Sequence, residues 1–220
     1  MNVEDLKKLR PTSYPCGADL VRNIPHPLQL IRRPQFSYRQ WLILVLVGPG
    51  IVLASYVGYI QEQGNFHTVV EELVYRSRQL DQEELIHYIK TYQIKSILNL
   101  RGMNRGSEWY QDEIRVTREL GVKHHDYGIS ANRDVSDEDL NAILGIIRAA
   151  PKPLLIHCKS GADRTSLIAA LYLYSFEGRS PDDAAGQLSI LQGHFPFFGN
   201  STAAMDRTFW RYVQSHPRIH

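Results

Sequence analysis

Cys158 and Arg164 stand six positions apart, with Thr165 directly after, in the run His157-Cys158-Lys159-Ser160-Gly161-Ala162-Asp163-Arg164-Thr165. The apolar triplet Leu154-Leu155-Ile156 precedes this run, and a helix-forming stretch, residues 165–176, follows it. A loop that leaves a strand and opens a helix turns successive backbone N–H groups toward one point, and the helix dipole adds partial positive charge there. Such a loop can hold a tetrahedral oxyanion. The same field and Arg164 favour the thiolate form of Cys158, a strong nucleophile. Arg164 offers a planar fork to two oxygens of a phosphoryl group. Gly161 permits the tight loop, and Thr165 brings a hydroxyl beside the sulfur. Spacing alone is weak evidence. It recurs at Cys16 and Arg22 among prolines, with no strand before it and no helix after it.

Composition narrows the remaining chemistry. The 220 residues suffice for one globular domain with an appendage. The net charge of +2 gives no general field for nucleic acid, so no nucleic-acid partner is expected. Two cysteines cannot make a disulfide framework. No CxxC pair or HExxH helix occurs, and the adjacent His124 and His125 would point to opposite faces of a strand, so no metal is expected.

The elements that must position the loop alternate. Strands are predicted at residues 74–77, 94–100, 122–129 and 154–156. Helices are predicted at 82–91, 108–120, 136–150, 165–176, 181–191 and 202–213, with Ser136 and Ser180 as caps and Gly121 as a stop. Strand–helix alternation specifies an α/β domain with a mostly parallel sheet.

With the loop in this context, the chain resembles the cysteine-dependent protein tyrosine and dual-specificity phosphatase superfamily, of the small bacterial, membrane-anchored type. Residues 157–165 match its HC-x5-R-[ST] signature throughout, and the likeness extends over roughly residues 65–215, including the VYRSRQL and ILNLRG segments. The resemblance implies a dual-specificity-phosphatase-like domain and a two-step phosphomonoester hydrolysis through a phosphocysteine, without metal or cofactor. It makes Cys158 the nucleophile, Arg164 the phosphate clamp and Thr165 the hydroxyl aid, with Lys159, Ser160, Gly161, Ala162 and Asp163 as the phosphate-binding cradle. It also requires an aspartate general acid on a loop before the cysteine strand, for which Asp134 is favoured over Asp126. Lys159 resembles loops that accept polyanionic head groups. Asp163 is expected to be structural rather than a base, and His157 to shape the loop by bonding to backbone. Arg101, at the end of a neighbouring strand, could face the site but is expected rather to pair with a carboxylate. A phosphate-binding module without turnover and a sulfur transferase are the rival readings. The intact Cys, Arg and Thr weigh against the first and the loop spacing against the second.

Ahead of this domain, residues 1–40 form a basic, proline-rich tail. Residues 41–60 carry no charge and span roughly 30 Å as a helix, the thickness of a bilayer core. Trp41 at one end and Tyr56 and Tyr59 at the other suit the interfaces. Seven Lys and Arg residues precede the span, whereas residues 61–72 have three acids and no Lys or Arg. The positive-inside rule therefore puts the N-terminus in the cytoplasm and the catalytic domain across the membrane, in the periplasm if the source is bacterial. Residues 61–72 are expected as a linker and 73–220 as the phosphatase domain. Its substrate would be a phosphorylated protein or a phospholipid or lipid-sugar phosphate near the membrane.

Overall fold

The computed structural model describes residues 37–196 and 201–217. The expected basic tail lies outside them except for its last four residues, as does Cys16. The chain divides into two compact units, residues 1–48 and 49–220. One helix, α1 (Tyr38–Glu62), contributes to both.

In the first unit α1 begins three residues earlier than the expected span. Ser37 and Gln40 cap it reciprocally, Ser37 N–H donating to Gln40 Oε1 at 2.8 Å and Gln40 N–H to Ser37 Oγ at 3.4 Å. The helix is long and apolar enough to cross a membrane. Its large side chains from Trp41 to Leu53 are exposed, unlike those of a core helix.

In the second unit the elements run β1 (His67–Val70), β2 (Val74–Ser77), α2 (Gln82–Thr91), β3 (Ser96–Asn99), α3 (Glu108–Glu119), β4 (Lys123–Asp126), α4 (Asp137–Ala149), β5 (Leu154–His157), α5 (Asp163–Ser175), α6 (Pro181–Ala185), a 3-10 turn at Ile190–Gln192, and α7 (Ala203–Ser215). The five strands lie in the order β1-β2-β5-β3-β4. Only the edge strand β1 is antiparallel; β2, β5, β3 and β4 are parallel. The α/β class with a mostly parallel sheet is therefore as the sequence indicates.

Strand alternation splits the core between the two faces of the sheet. Val74, Leu98, Leu154 and Ile156 face the cluster built with α4, α5 and α7. Tyr75, Ile97 and Leu155 face the smaller one built with α2 and α3. Residues 165–174 of α5 are all buried, so this helix runs through the larger core. Ser136 and Ser180 cap α4 and α6 as expected, and Asp81 and Glu84 form a capping box on α2.

Three expectations on extent are corrected. Residues 61–72 are not a free linker, because they hold the end of α1, a turn at Gly64 and Asn65 with positive φ, and β1. The strand expected over 122–129 is assigned only from Lys123 to Asp126, where Asn99 and Tyr110 capture the Asp126 carboxylate. The helix expected over 181–191 ends at Ala185, because Gln187 turns its carbonyl and side chain back to Arg76.

Candidate active site

The central strand β5 ends at His157, and α5 begins at Asp163. Residues 158–162 therefore form a loop at the carboxyl end of the parallel strands, where open α/β sheets place their sites. Cys158 is buried at the loop's start.

The outer face of this loop is held at three consecutive carbonyls. Gln79 N–H donates to Lys159 O at 3.2 Å. The side-chain amides of Gln61 and Asn65 both donate to Ser160 O, each at 3.0 Å. Arg76 Nη2 donates to Gly161 O at 2.6 Å. A trans peptide carries its C=O and N–H on opposite sides. Carbonyls held outward therefore turn the N–H groups of Ser160, Gly161 and Ala162 inward. No hydrogen bond from the N–H of Ser160 or Gly161 occurs among the described residues, and Ala162 N–H makes only a 3.4 Å contact with Ser160 Oγ. Gly161 sits at φ +70°, and a Cβ there would lie 2.6 Å from Arg78 N and 2.7 Å from Ser77 C and O, so glycine is required.

The expected site residues gather around this cradle. Arg164 Nη1 donates to Leu100 O at 3.1 Å and Ile129 O at 3.3 Å, which anchors one edge of the guanidinium, while its buried Nε has no partner among the described residues. Thr165 Oγ1 is likewise buried without a partner. Lys159 is exposed. Asp163 turns its carboxylate to His194 Nδ1 at 2.7 Å, in keeping with a structural role. Asp134 lies on the loop before α4, paired with Arg207 at 2.7 Å, and lines a cavity of about 290 Å³ with Ile129, the residue whose carbonyl Arg164 holds. Asp126 is instead fixed, accepting from Asn99 Nδ2 at 2.8 Å and Tyr110 OH at 2.6 Å. Burial, with that bond to Asp126, pushes Tyr110 up to about 12.

Two expectations fail here. Among the described residues the His157 side chain bonds no backbone: its Nε2 lies 3.2 Å from Glu113 Oε1. Arg101 finds no carboxylate among the described residues; it stacks 3.5 Å over the Trp109 ring and donates to Gln79 Oε1 at 3.2 Å. Burial lowers the pKa of Arg101, and the neighbouring charge of Arg164 lowers it further.

Other residues around the loop escape a sequence reading. Arg76 is wholly buried in β2 and also donates to Ser166 Oγ at 2.7 Å and Gln187 Oε1 at 2.8 Å; burial brings it down to about 10, with Cys158 acting the other way. Glu113 accepts from Gln79 Nε2 at 2.6 Å and faces His124 Nε2 at 2.6 Å as well as His157. His194 is buried between Asp163 and Asp206 Oδ2, the latter at 2.8 Å. The available signals were an arginine inside an apolar strand and an acid on the buried face of α3, between Tyr110 and Val116.

Residues 57–183, covering the cradle and the strands around it, match the tyrosine phosphatase family. The chain belongs to that family. No curated protein matches the chain. Among solved structures, Pseudomonas aeruginosa TpbA is similar at 21% identity and a TM-score of 0.53, over 66% of this chain and 86% of TpbA. A second TpbA structure is a cysteine-to-serine form in complex with phosphotyrosine, at 19% identity and a TM-score of 0.52, over 69% of this chain and 91% of that one. The catalytic core of the Saccharomyces cerevisiae PP-IP phosphatase SIW14, in complex with citrate, is similar at 24% identity and a TM-score of 0.53, over 69% of this chain and 91% of that one. At these identities the likeness is one of fold.

Proposed function

We propose that the protein is a membrane-anchored phosphomonoesterase that works through a phosphocysteine. The observation that carries this reading is the loop whose carbonyls are held outward, so that the N–H groups of Ser160 and Gly161, the Arg164 Nε and the Thr165 hydroxyl have no partner among the described residues. In the first step Cys158 Sγ attacks phosphorus, the ester P–O bond breaks, and the departing oxygen takes a proton from an aspartic acid. In the second, water attacks phosphorus, the S–P bond breaks, and the same carboxylate takes the water's proton. Inward N–H groups and Arg164 hold the equatorial oxygens in both steps. Thr165 hydrogen-bonds the sulfur as it leaves.

Asp134 is the acid in this reading. Its ion pair with Arg207 is exposed on both sides and so worth little, which leaves the carboxylate free to turn toward the cradle. Asp126 is tied to two donors. Asp134→Asn should slow alkyl phosphates roughly 100-fold and activated aryl phosphates far less. Asp126→Asn showing that leaving-group dependence instead would reverse the assignment.

The substrate is a phosphorylated group presented near the membrane, on a protein or a lipid. Phosphotyrosine bound to TpbA and the PP-IP activity of SIW14 support a phosphorylated substrate. Gln61, the first residue after the proposed span, reaches the loop itself, which supports proximity to the bilayer. The exposed Lys159 and the nearby Arg101 favour an anionic setting for the scissile phosphate. The charge asymmetry about residues 41–60 supports a domain on the far side from the cytoplasm. A reporter fused after His220 that works only outside the cytoplasm should be active; activity of a cytoplasmic reporter there would reverse the topology.

The deciding experiment uses the full chain in detergent micelles or vesicles. Phosphopeptides and vesicle-presented phospholipids are compared as substrates for the wild type and Cys158→Ser. Turnover should vanish in the variant while phosphate-ester binding persists. Retained turnover would refute the covalent mechanism, and a wild type far better on free phosphopeptides would exclude the lipid substrate.

A further inference from the structure

The end of α1 is built into the outer face of the cradle. Gln61 Nε2 and Asn65 Nδ2 converge on the Ser160 carbonyl oxygen. Asn65 is buried, and its Oδ1 meets His67 Nε2 at 3.0 Å, which fixes the amide so that its nitrogen serves Ser160 and, at 3.2 Å, Gln192 O. Burial first, and then the charge of Arg76, lower the pKa of His67, in keeping with a neutral ring whose Nε2–H donates to Asn65. Gln61 is set from the other side, its own carbonyl accepting from Arg78 Nε at 2.6 Å. Asn65 N–H bonds Ile60 O at 2.6 Å, and Tyr56 OH donates to Leu191 O at 2.9 Å. Residues 56–65 are thus packed on the domain rather than tethered to it.

Ser160 O and Gly161 N belong to one peptide. Two amides that hold the oxygen outward aim the Gly161 N–H into the cradle. Gly161 cannot steady this peptide itself. It has no side chain, and its φ of +70° is one of several open to glycine once the loop is free. An oxyanion donor acts in proportion to how well it is aimed before the charge arrives.

We propose that Gln61 and Asn65 are positioning residues for the phosphate cradle, so that the C-terminal end of the apolar helix forms part of the active-site support. The inference rests on residues 158–165 being a phosphate site. Neither side chain touches the substrate; both act through the Ser160–Gly161 peptide.

The test uses the full-length protein in detergent micelles with two soluble probes, tungstate as an oxyanion and p-nitrophenyl phosphate as a substrate. Neither probe needs the membrane, so effects of lipid presentation are removed. Gln61→Glu keeps the shape of the side chain but sets a carboxylate against the Ser160 carbonyl. It should weaken tungstate binding and lower kcat/KM roughly tenfold each, as for loss of one aimed hydrogen bond to a charged group. Gln61→Lys, which restores a donor, should recover most of both. Gln63→Glu makes the same charge change at an exposed neighbour and should leave both near wild type. Because Gln61 is only half-buried, its variants should melt close to the wild type; Asn65→Asp, at a buried position, is read only if it also does. Wild-type values for Gln61→Glu, or an equal loss in Gln63→Glu, would overturn the positioning role while leaving the phosphatase reading intact. A wild type that binds no tungstate and turns over no aryl phosphate would overturn both.

Discussion

Two histidine–carboxylate clusters bracket the cradle, and they are built in opposite ways. Before Cys158, one acid, Glu113, serves two rings, His124 and His157. After Ala162, one ring, His194, serves two acids, Asp163 and Asp206. Burial alone would push Glu113 up, yet its histidine partners outweigh it and hold the carboxyl well below the usual range. Burial alone would push His194 down, yet its two carboxylates outweigh it and lift the ring to about 9. Both clusters therefore keep the minority partner charged, and each fixes a residue next to the loop. The support at the two ends of the cradle is therefore lost in opposite directions of pH, toward acid at Glu113 and toward alkali at His194.

The largest effect should come from removing the single acid. Glu113→Ala strips the buried carboxylate shared by Gln79, His124 and His157, leaving His124 only the longer 3.7 Å contact from its Nδ1 to Asp126 Oδ2. It should cost about 3 kcal/mol, read as a fall in melting temperature in detergent micelles. His194→Ala should cost less, about 2 kcal/mol, because the side chains of Asp163 and Asp206 are 20% and 29% exposed and can turn to solvent. Equal losses would erase the distinction between the clusters.

The smallest and sharpest test is the pH dependence of stability. His194 has a folded pKa raised above its ordinary 6.5 to about 9. Its contribution is thus complete below about 6.5 and is lost as pH rises through about 9. Glu113 has a folded pKa lowered from its ordinary 4.5. Its contribution is present above about 4.5 and is lost as pH falls below that value. The wild type should therefore lose stability on both sides. The alkaline loss should flatten in His194→Ala and the acid loss in Glu113→Ala, as followed by melting temperature from pH 3 to 10. An alkaline limb that survives in His194→Ala would remove this histidine from the account.

The cradle was legible because its chemistry is local. Strand, loop and helix are consecutive in sequence, so Cys158, Arg164 and Thr165 could be placed together from spacing and periodicity alone. The same holds for α2, α4 and the parallel strands, whose caps and alternating apolar residues lie within a few positions of one another. Edge strand β1 was missed because its four residues are only partly covered and show no alternation. The long apolar run of residues 41–60 was equally plain, and α1 differs from it only at its ends.

What surrounds the cradle could not be read in this way. Arg76 reaches Gly161 across 85 positions, Asn65 reaches Ser160 across 95, and Gln61 reaches it across 99. Nothing in the local pattern of a polar residue says which distant carbonyl it will meet. The alternating fold, the apolar helix and the strand–loop–helix context that makes Cys158 the expected nucleophile and Arg164 the expected clamp were legible, because each depends on neighbours along the chain. Packing in three dimensions set Arg101 on Trp109, His157 against Glu113, and Gln61 and Asn65 against the loop. Those choices follow from which buried polar groups the packed sheet brings within hydrogen-bond reach, where each must find a partner or carry the cost of desolvation.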